Sequence, residues 1–124
     1  MSVSEEARRL VEIAALAAAD KLAENIVAYD VSEQLAITDA FLICSAGNDR
    51  QVRAIVEEIE DKLREAGAHT IRREGYQEGR WVLLDYGEIV VHVQHQEERE
   101  FYALQRLWHD CPEVELPDAV HAPR

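Results

Sequence analysis

Trp81-Val-Leu-Leu-Asp-Tyr-Gly-Glu-Ile-Val-Val-His-Val93 is the stretch on which the fold turns. Two β-rich runs, Trp81 to Leu84 and Ile89 to Val93, flank Asp85-Tyr-Gly-Glu88, and together they predict a hairpin. Side chains alternate along a strand, so Trp81, Leu83 and Asp85 share one face while Val82, Leu84 and Tyr86 share the other. Both faces carry bulky apolar groups, so each requires a cover. If all the helices pack on one side, Trp81 beside Asp85 is an exposed aromatic anchor next to a charge; if not, Trp81 is core. The sequence leaves both readings open.

Upstream of the hairpin, His69 to Arg73 is a short strand candidate and Glu74 to Gly79 a loop, so the last three strands form a meander. Ala40-Phe-Leu-Ile-Cys-Ser45 is a continuous apolar run of strand length, the pattern of a strand buried on both faces. Ile26 to Val31 is a further strand, joined to it through Ser32 to Asp39. Three helices complete the chain. The first opens at a capping box, Ser2-Val-Ser-Glu5, and runs through an alanine stripe to near Asn25. That narrow stripe lets another backbone approach closely, either the domain's own sheet or a second subunit. The second opens at Asn48, with Gln51 at the capping-box position, carries Val52, Ile55, Val56, Ile59 and Leu63 on one stripe, and ends at Gly67. The third spans Glu97 to His109 with Phe101, Leu104 and Leu107 inward. The order α-β-β-α-β-β-β-α predicts an α+β (α/β-like) domain, a mixed sheet of about five strands flanked by helices. A right-handed crossover makes the Ala40 and His69 strands parallel. One domain over residues 1–111 is expected, with Pro112, Pro117 and Pro123 leaving residues 112–124 as an extended or flexible tail.

A length of 124 residues with 48% hydrophobic positions suits one compact core. No apolar run approaches the roughly 20 residues of a membrane span, and the N-terminus lacks the basic-then-apolar order of a signal peptide, so a cytoplasmic protein is expected. Asp and Glu total 25 against 13 Lys and Arg, a formal charge of −12. Such a field disfavours a direct grip on nucleic acid, which needs clustered cations, and favours a basic protein partner. Cys44 and Cys111 lie far apart without metal-ligand spacing, the pattern of reduced thiols.

Candidate chemistry is sparse. Ser45-Ala-Gly-Asn-Asp49 follows a strand and opens a helix, in outline a phosphate-cradling turn, but it has neither the lysine of a P-loop nor a second glycine. Metal-dependent nucleotidyl transfer needs convergent strand-borne carboxylates; Asp39, Asp85 and Glu88 are the candidates and form no Asp-x-Asp pair. His92 and His95, three apart on a strand, fall on opposite faces, and His92 is expected as a hydrogen-bonded histidine beside Val90 and Gln94. The acidic runs at Glu57 to Asp61 and Glu97 to Glu100 suit solvated helix faces or a docking surface for a cationic protein. No cofactor, no metal and no enzymatic reaction are expected.

Asp30-Val-Ser, Thr38-Asp-Ala-Phe-Leu-Ile-Cys-Ser-Ala-Gly47 followed by Arg50-Gln-Val, Trp81-Val-Leu-Leu-Asp-Tyr-Gly87 running into Val91-His-Val, and Arg99-Glu-Phe-Tyr-Ala-Leu-Gln-Arg-Leu-Trp108 resemble the Iojap or ribosomal silencing factor family over about Ile26 to Trp108. The resemblance implies a sheet related in shape to nucleotidyltransferases without their catalytic carboxylates, and a homodimer. It also implies binding to the large ribosomal subunit through its basic protein number fourteen, which sterically blocks the small subunit and damps translation when nutrients are scarce. The hairpin motif carries over onto Trp81, Asp85, Tyr86 and Gly87 as contact or contact-supporting residues. The chain departs from the family pattern at Ala40, where an aromatic is frequent, at Gln94, where an apolar residue is common, and at Gln105, where Glu is usual. Two other classes remain open, a nucleotide-binding or nucleotidyltransferase-like enzyme using the Ser45 to Asp49 turn and an acidic dimeric adaptor for another basic protein.

Overall fold

The computed structural model describes residues 3–122. Helix α1 spans Glu5–Asp20, and its N-cap is Ser4, whose Oγ accepts from the Ala7 amide at 3.0 Å. The expected cap at Ser2 lies outside the described residues. The helix also stops earlier than its alanine content suggests. Lys21 caps it, and Leu22 and Asn25 take left-handed φ values of 62° and 52°, which turn the chain into strand β1, Glu24–Asp30. Strand β2 is Ala40–Ala46, helix α2 Asp49–Glu65, and strands β3, β4 and β5 are Arg72–Glu74, Trp81–Asp85 and Ile89–His95. The α2 cap falls on Asn48, whose Oδ1 accepts from the Gln51 amide at 2.8 Å. The Gln51 side chain does not close a capping box; its Nε2 donates to the carbonyls of Lys21 and Leu22, tying the start of α2 to the end of α1.

The five strands form one sheet in the order β1-β2-β5-β4-β3. Only β2 and β5 are parallel neighbours, in the register Ala40↔Ile89 to Ala46↔His95, and every other pairing is antiparallel. The meander is therefore as expected. The crossover differs: β3 runs in the direction of β2 but lies at the far edge, because the hairpin folds back and places β5 in the central position. Burial favours this order. Strand β5 is far more apolar than Arg72-Arg73-Glu74, so it takes the position covered from both sides.

Helices α1 and α2 cover one sheet face. Val82, Leu84, Val91 and Val93 meet Ile55, Ile59 and Leu63 there, with the α1 alanines 0–4% exposed. The alanine stripe is thus consumed by the chain's own core, the closest packing two elements can reach when one contributes only methyl groups. On the other face a smaller cluster joins Tyr29, Val31, Ile43 and Cys111, with Phe41, Leu104 and Trp108 packed on it. Cys44 lies in the main core and Cys111 in this second cluster; both are free thiols.

The C-terminal helix departs most from expectation. Instead of one helix over Glu97 to His109 there are two short ones, α3 (Gln96–Tyr102) and α4 (Leu104–Leu107), separated by Ala103 at φ 46° and ψ 54°. The left-handed residue rotates the second piece, so Leu104 and Trp108 reach the sheet while Phe101 and Leu107 stand 81% and 70% exposed. Beyond Cys111 the chain runs along the outer edge of β1. The Asp30 amide donates to the Pro112 carbonyl at 2.7 Å, the Val114 amide to the Ala28 carbonyl at 2.9 Å, and His121 Nε2 lies 3.0 Å from the Ile26 carbonyl. Val114 and Val120 are buried against the core.

Candidate functional site

The hairpin residues separate by strand period. Val82, Leu84 and Tyr86 point into the helix-covered core, whereas Trp81, Leu83 and Asp85 are half-buried on the opposite face. Tyr86 is 8% exposed, its hydroxyl bonded to Thr70 Oγ1 at 3.0 Å, and burial pushes its phenol above the usual range. It therefore lies behind the turn, on the helix-covered face. Gly87 closes the turn at φ 83°, and its amide donates to Asp85 Oδ1 at 2.8 Å. The second carboxylate oxygen of Asp85 lies 3.9 Å from Arg72 Nη2 on the neighbouring strand. One carboxylate thus shapes the turn and presents charge at the sheet surface.

Trp81 stands between the two readings that the sequence left open. Its indole N–H donates to His92 Nδ1 at 3.1 Å, and its ring meets Tyr102 of α3 at 4.9 Å between centroids. His92 is the hydrogen-bonded histidine expected from its strand position; burial pulls its pKa down to about 4, so the ring is neutral. Accepting at Nδ1 places the proton on Nε2, which has no partner among the described residues. Phe41 meets His92 edge-on at 5.1 Å. Gln94 follows along β5, fully buried, and neither its Oε1 nor its Nε2 has a partner among the described residues. His95 points to the other face and caps α3, its Nδ1 accepting from the Glu97 amide at 3.1 Å.

Helix α3 is fastened over the end of this face by charge. Arg80 donates to Glu97 at 2.8 Å and to Glu98 at 3.0 Å, and the buried guanidinium of Arg99 donates to Ser45 Oγ at 3.5 Å. No sequence signal marked Tyr102 as a neighbour of Trp81, or Arg80 as the partner of Glu97 and Glu98, because these contacts depend on where the break at Ala103 sets α3. Beside the indole the Glu74 to Gly79 loop leaves a shallow hollow of about 340 Å³, lined by Glu74, Gly75, Trp81 and Leu83. Gly75 is required there: at φ 84° its Cβ would lie 2.1 Å from the Trp81 carbonyl oxygen.

The phosphate-turn alternative finds its groups already engaged. Ser45 is fully buried and donates to the Glu24 carbonyl, Asn48 Oδ1 occupies the α2 N-terminus, and Asp49 Oδ1 accepts from the Arg50 amide. Asp39 and Asp85 are likewise engaged, Asp39 by the Ser4 amide at 2.9 Å. Among the described residues no group of three His, Cys, Asp or Glu side chains could hold a metal ion, and no helix is long and apolar enough to cross a membrane.

The arrangement defines an α+β protein with one closed sheet face and one half-open face carrying aromatic and acidic groups. The family described as "Ribosomal silencing factor during starvation" matches residues 4–124. The ribosomal silencing factor RsfS of Bacillus subtilis is 45% identical over 109 residues, 88% of this chain and 92% of that protein. A crystal structure from Chromobacterium violaceum superposes with a TM-score of 0.80 at 29% identity, covering 88% of each chain. One from Bacillus halodurans gives 0.77 at 42% identity, covering 87% of this chain and 98% of that one. The chain belongs to the ribosomal silencing factor family.

Proposed function

We propose that this protein represses translation by occupying the large ribosomal subunit. It docks there on the basic ribosomal protein number fourteen, forms a homodimer, and sterically excludes the small subunit. The observation that carries the reading is that Trp81 and Asp85 lie on the same half-open sheet face, at the two ends of β4 with Leu83 between them, so that an aromatic anchor and a carboxylate are presented on one surface. Tyr86 and Gly87 act as contact-supporting residues by fixing the turn behind them. A formal charge of −12 orients the protein toward a cationic protein surface and away from exposed RNA, so the blockade requires no reaction. The α1 alanine stripe contributes nothing to a dimer seam, since it is buried within one chain.

Cosedimentation with purified large subunits, followed by addition of small subunits, tests this reading. Wild-type protein is expected to pellet with large subunits and to reduce subunit joining in proportion to occupancy. Asp85→Asn keeps the acceptor for the Gly87 amide and removes the charge. It is expected to weaken binding by about 1 kcal/mol at low ionic strength, a loss that shrinks as salt rises because the Debye length falls below about 10 Å. Failure of wild-type protein to pellet, or pelleting without any effect on joining, refutes the proposal.

A further inference from the structure

The break at Ala103 is costly twice over. A non-glycine residue is held in the left-handed region, and Phe101 and Leu107 are left in water although a straight helix would have placed both on the apolar stripe with Leu104. A continuous helix is also what the local sequence favours, so tertiary packing maintains the kink: Tyr102 on Trp81 on one side, Leu104 and Trp108 on the Phe41 cluster on the other. The result is an outward apolar ridge of Phe101 and half-exposed Tyr102, whose rings lie 5.0 Å apart. That ridge is continuous, through Trp81, with the hollow beside Leu83. Its border is acidic. Glu97, Glu98 and Glu100 lie on α3 and Glu74 and Asp85 on the strands; Arg80, paired with Glu97 and Glu98, and Arg72, paired with Glu74 and 3.9 Å from Asp85, offset part of this charge and leave the border net negative.

Resting on the ribosome-binding reading above, we infer that the kinked α3–α4 segment is itself a docking element, with Phe101 as its principal contact, for a protein partner whose surface offers an apolar patch bordered by lysine or arginine. Charge complementarity selects this occupant. A second copy of the chain would bring the same carboxylates against one another around the ridge, whereas a cation-bordered apolar patch covers the rings and meets the acidic border together. Ala103 acts as a positioning residue: its left-handed turn aims Phe101 outward while Tyr102 stays against Trp81.

Purified large ribosomal subunits are the probe, with the full-length protein and three variants. Because Phe101 is mostly exposed, Phe101→Ser is expected to leave the thermal melt unchanged and to raise the dissociation constant roughly tenfold to thirtyfold, the loss characteristic of a central aromatic contact. Ala103→Gly, which keeps the left-handed turn without strain, is expected to bind at least as tightly as wild type. Ala103→Val, β-branched and averse to that conformation, is expected to bind more weakly. If wild-type protein pellets with large subunits and Phe101→Ser pellets equally well, the docking role of the segment is overturned while the ribosome-binding reading stands. Equal binding by Ala103→Gly and Ala103→Val removes the positioning role. If Phe101→Ser changes the mass in solution but not subunit binding, the ridge joins two copies and the inference is wrong. If wild-type protein does not pellet at all, both readings fall.

Discussion

Trp81 donates its indole N–H to His92 Nδ1 at 3.1 Å across the diagonal of two antiparallel strands, so a half-exposed ring is held by a buried one. This bond fixes both the direction of the indole and the protonation state of the imidazole. A proton on Nδ1 would displace the donor, and burial alone holds the His92 pKa near 4 against 6.5 in an unfolded chain.

Stability is therefore expected to fall on acidification. The unfolded state takes up a proton at His92 below about pH 6.5 and the folded state only near pH 4, so the contribution of this residue is complete above pH 6.5 and is lost progressively as pH falls toward 4. The loss amounts to about 2 kcal/mol by pH 5. Urea denaturation at pH 7.5 and pH 5 reads it directly, with His92→Gln as the reference that lacks the titrating ring. An equal acid loss in both proteins assigns the pH dependence elsewhere.

Gln94 is an internal cost. Its amide is fully buried with no partner at either end among the described residues, at a strand position where an apolar side chain would fit. Gln94→Leu is expected to raise stability by about 1 to 3 kcal/mol, because a similar volume is filled and two unsatisfied polar atoms disappear. Chemical denaturation of the pair measures this. A less stable variant would mean that the amide is bonded in solution.

Gly75 admits no side chain. With Cβ set against the Trp81 carbonyl at 2.1 Å and φ at 84°, Gly75→Ala is expected to cost about 2 kcal/mol or more and to shift the start of β4. Tryptophan emission, compared with that of a Trp108→Phe background, locates the disturbance at Trp81.

Both cysteines are expected to be reduced and slow to react in the folded protein. Burial pushes the Cys44 thiol up to about 12, which leaves almost no thiolate at neutral pH, and Cys111 is buried at the second cluster. Thiol titration should count two groups in denaturant and proceed far more slowly without it. Finding none in denaturant under non-reducing conditions contradicts this.

The parts of the fold that sequence reading reached are those specified locally. The hairpin, the run Ala40 to Ser45, the Asn48 cap and the alternation that puts His92 beside Gln94 all follow from period, turn chemistry and capping, which act over a few residues. The failures share a cause. Helix α1 ends at Asp20 and the last helix breaks at Ala103 through left-handed Leu22 and Ala103, neither of them a residue that favours that region, so propensity gave no warning at either. Tertiary contact decides those points: β1 must reach β2, and Tyr102 and Trp108 must reach different parts of the sheet. The neighbour of β2 was likewise illegible, since strand order is set by which strand gains most from central burial. At the candidate site, alternation along β4 already separates Trp81 and Asp85 from Tyr86, and the structure shows which of those faces the helices cover.

The strap formed by residues 112–122 has a geometric consequence for assembly. It engages the Asp30 amide and the Ala28 and Ile26 carbonyls on the outer edge of β1, and the opposite margin of the sheet is three charged residues long, Arg72-Arg73-Glu74. Neither margin offers a ladder on which a foreign strand could grow. Lateral polymerisation through backbone pairing is thereby suppressed, and recognition is left to side chains, where a single substitution alters affinity without opening a route to aggregation.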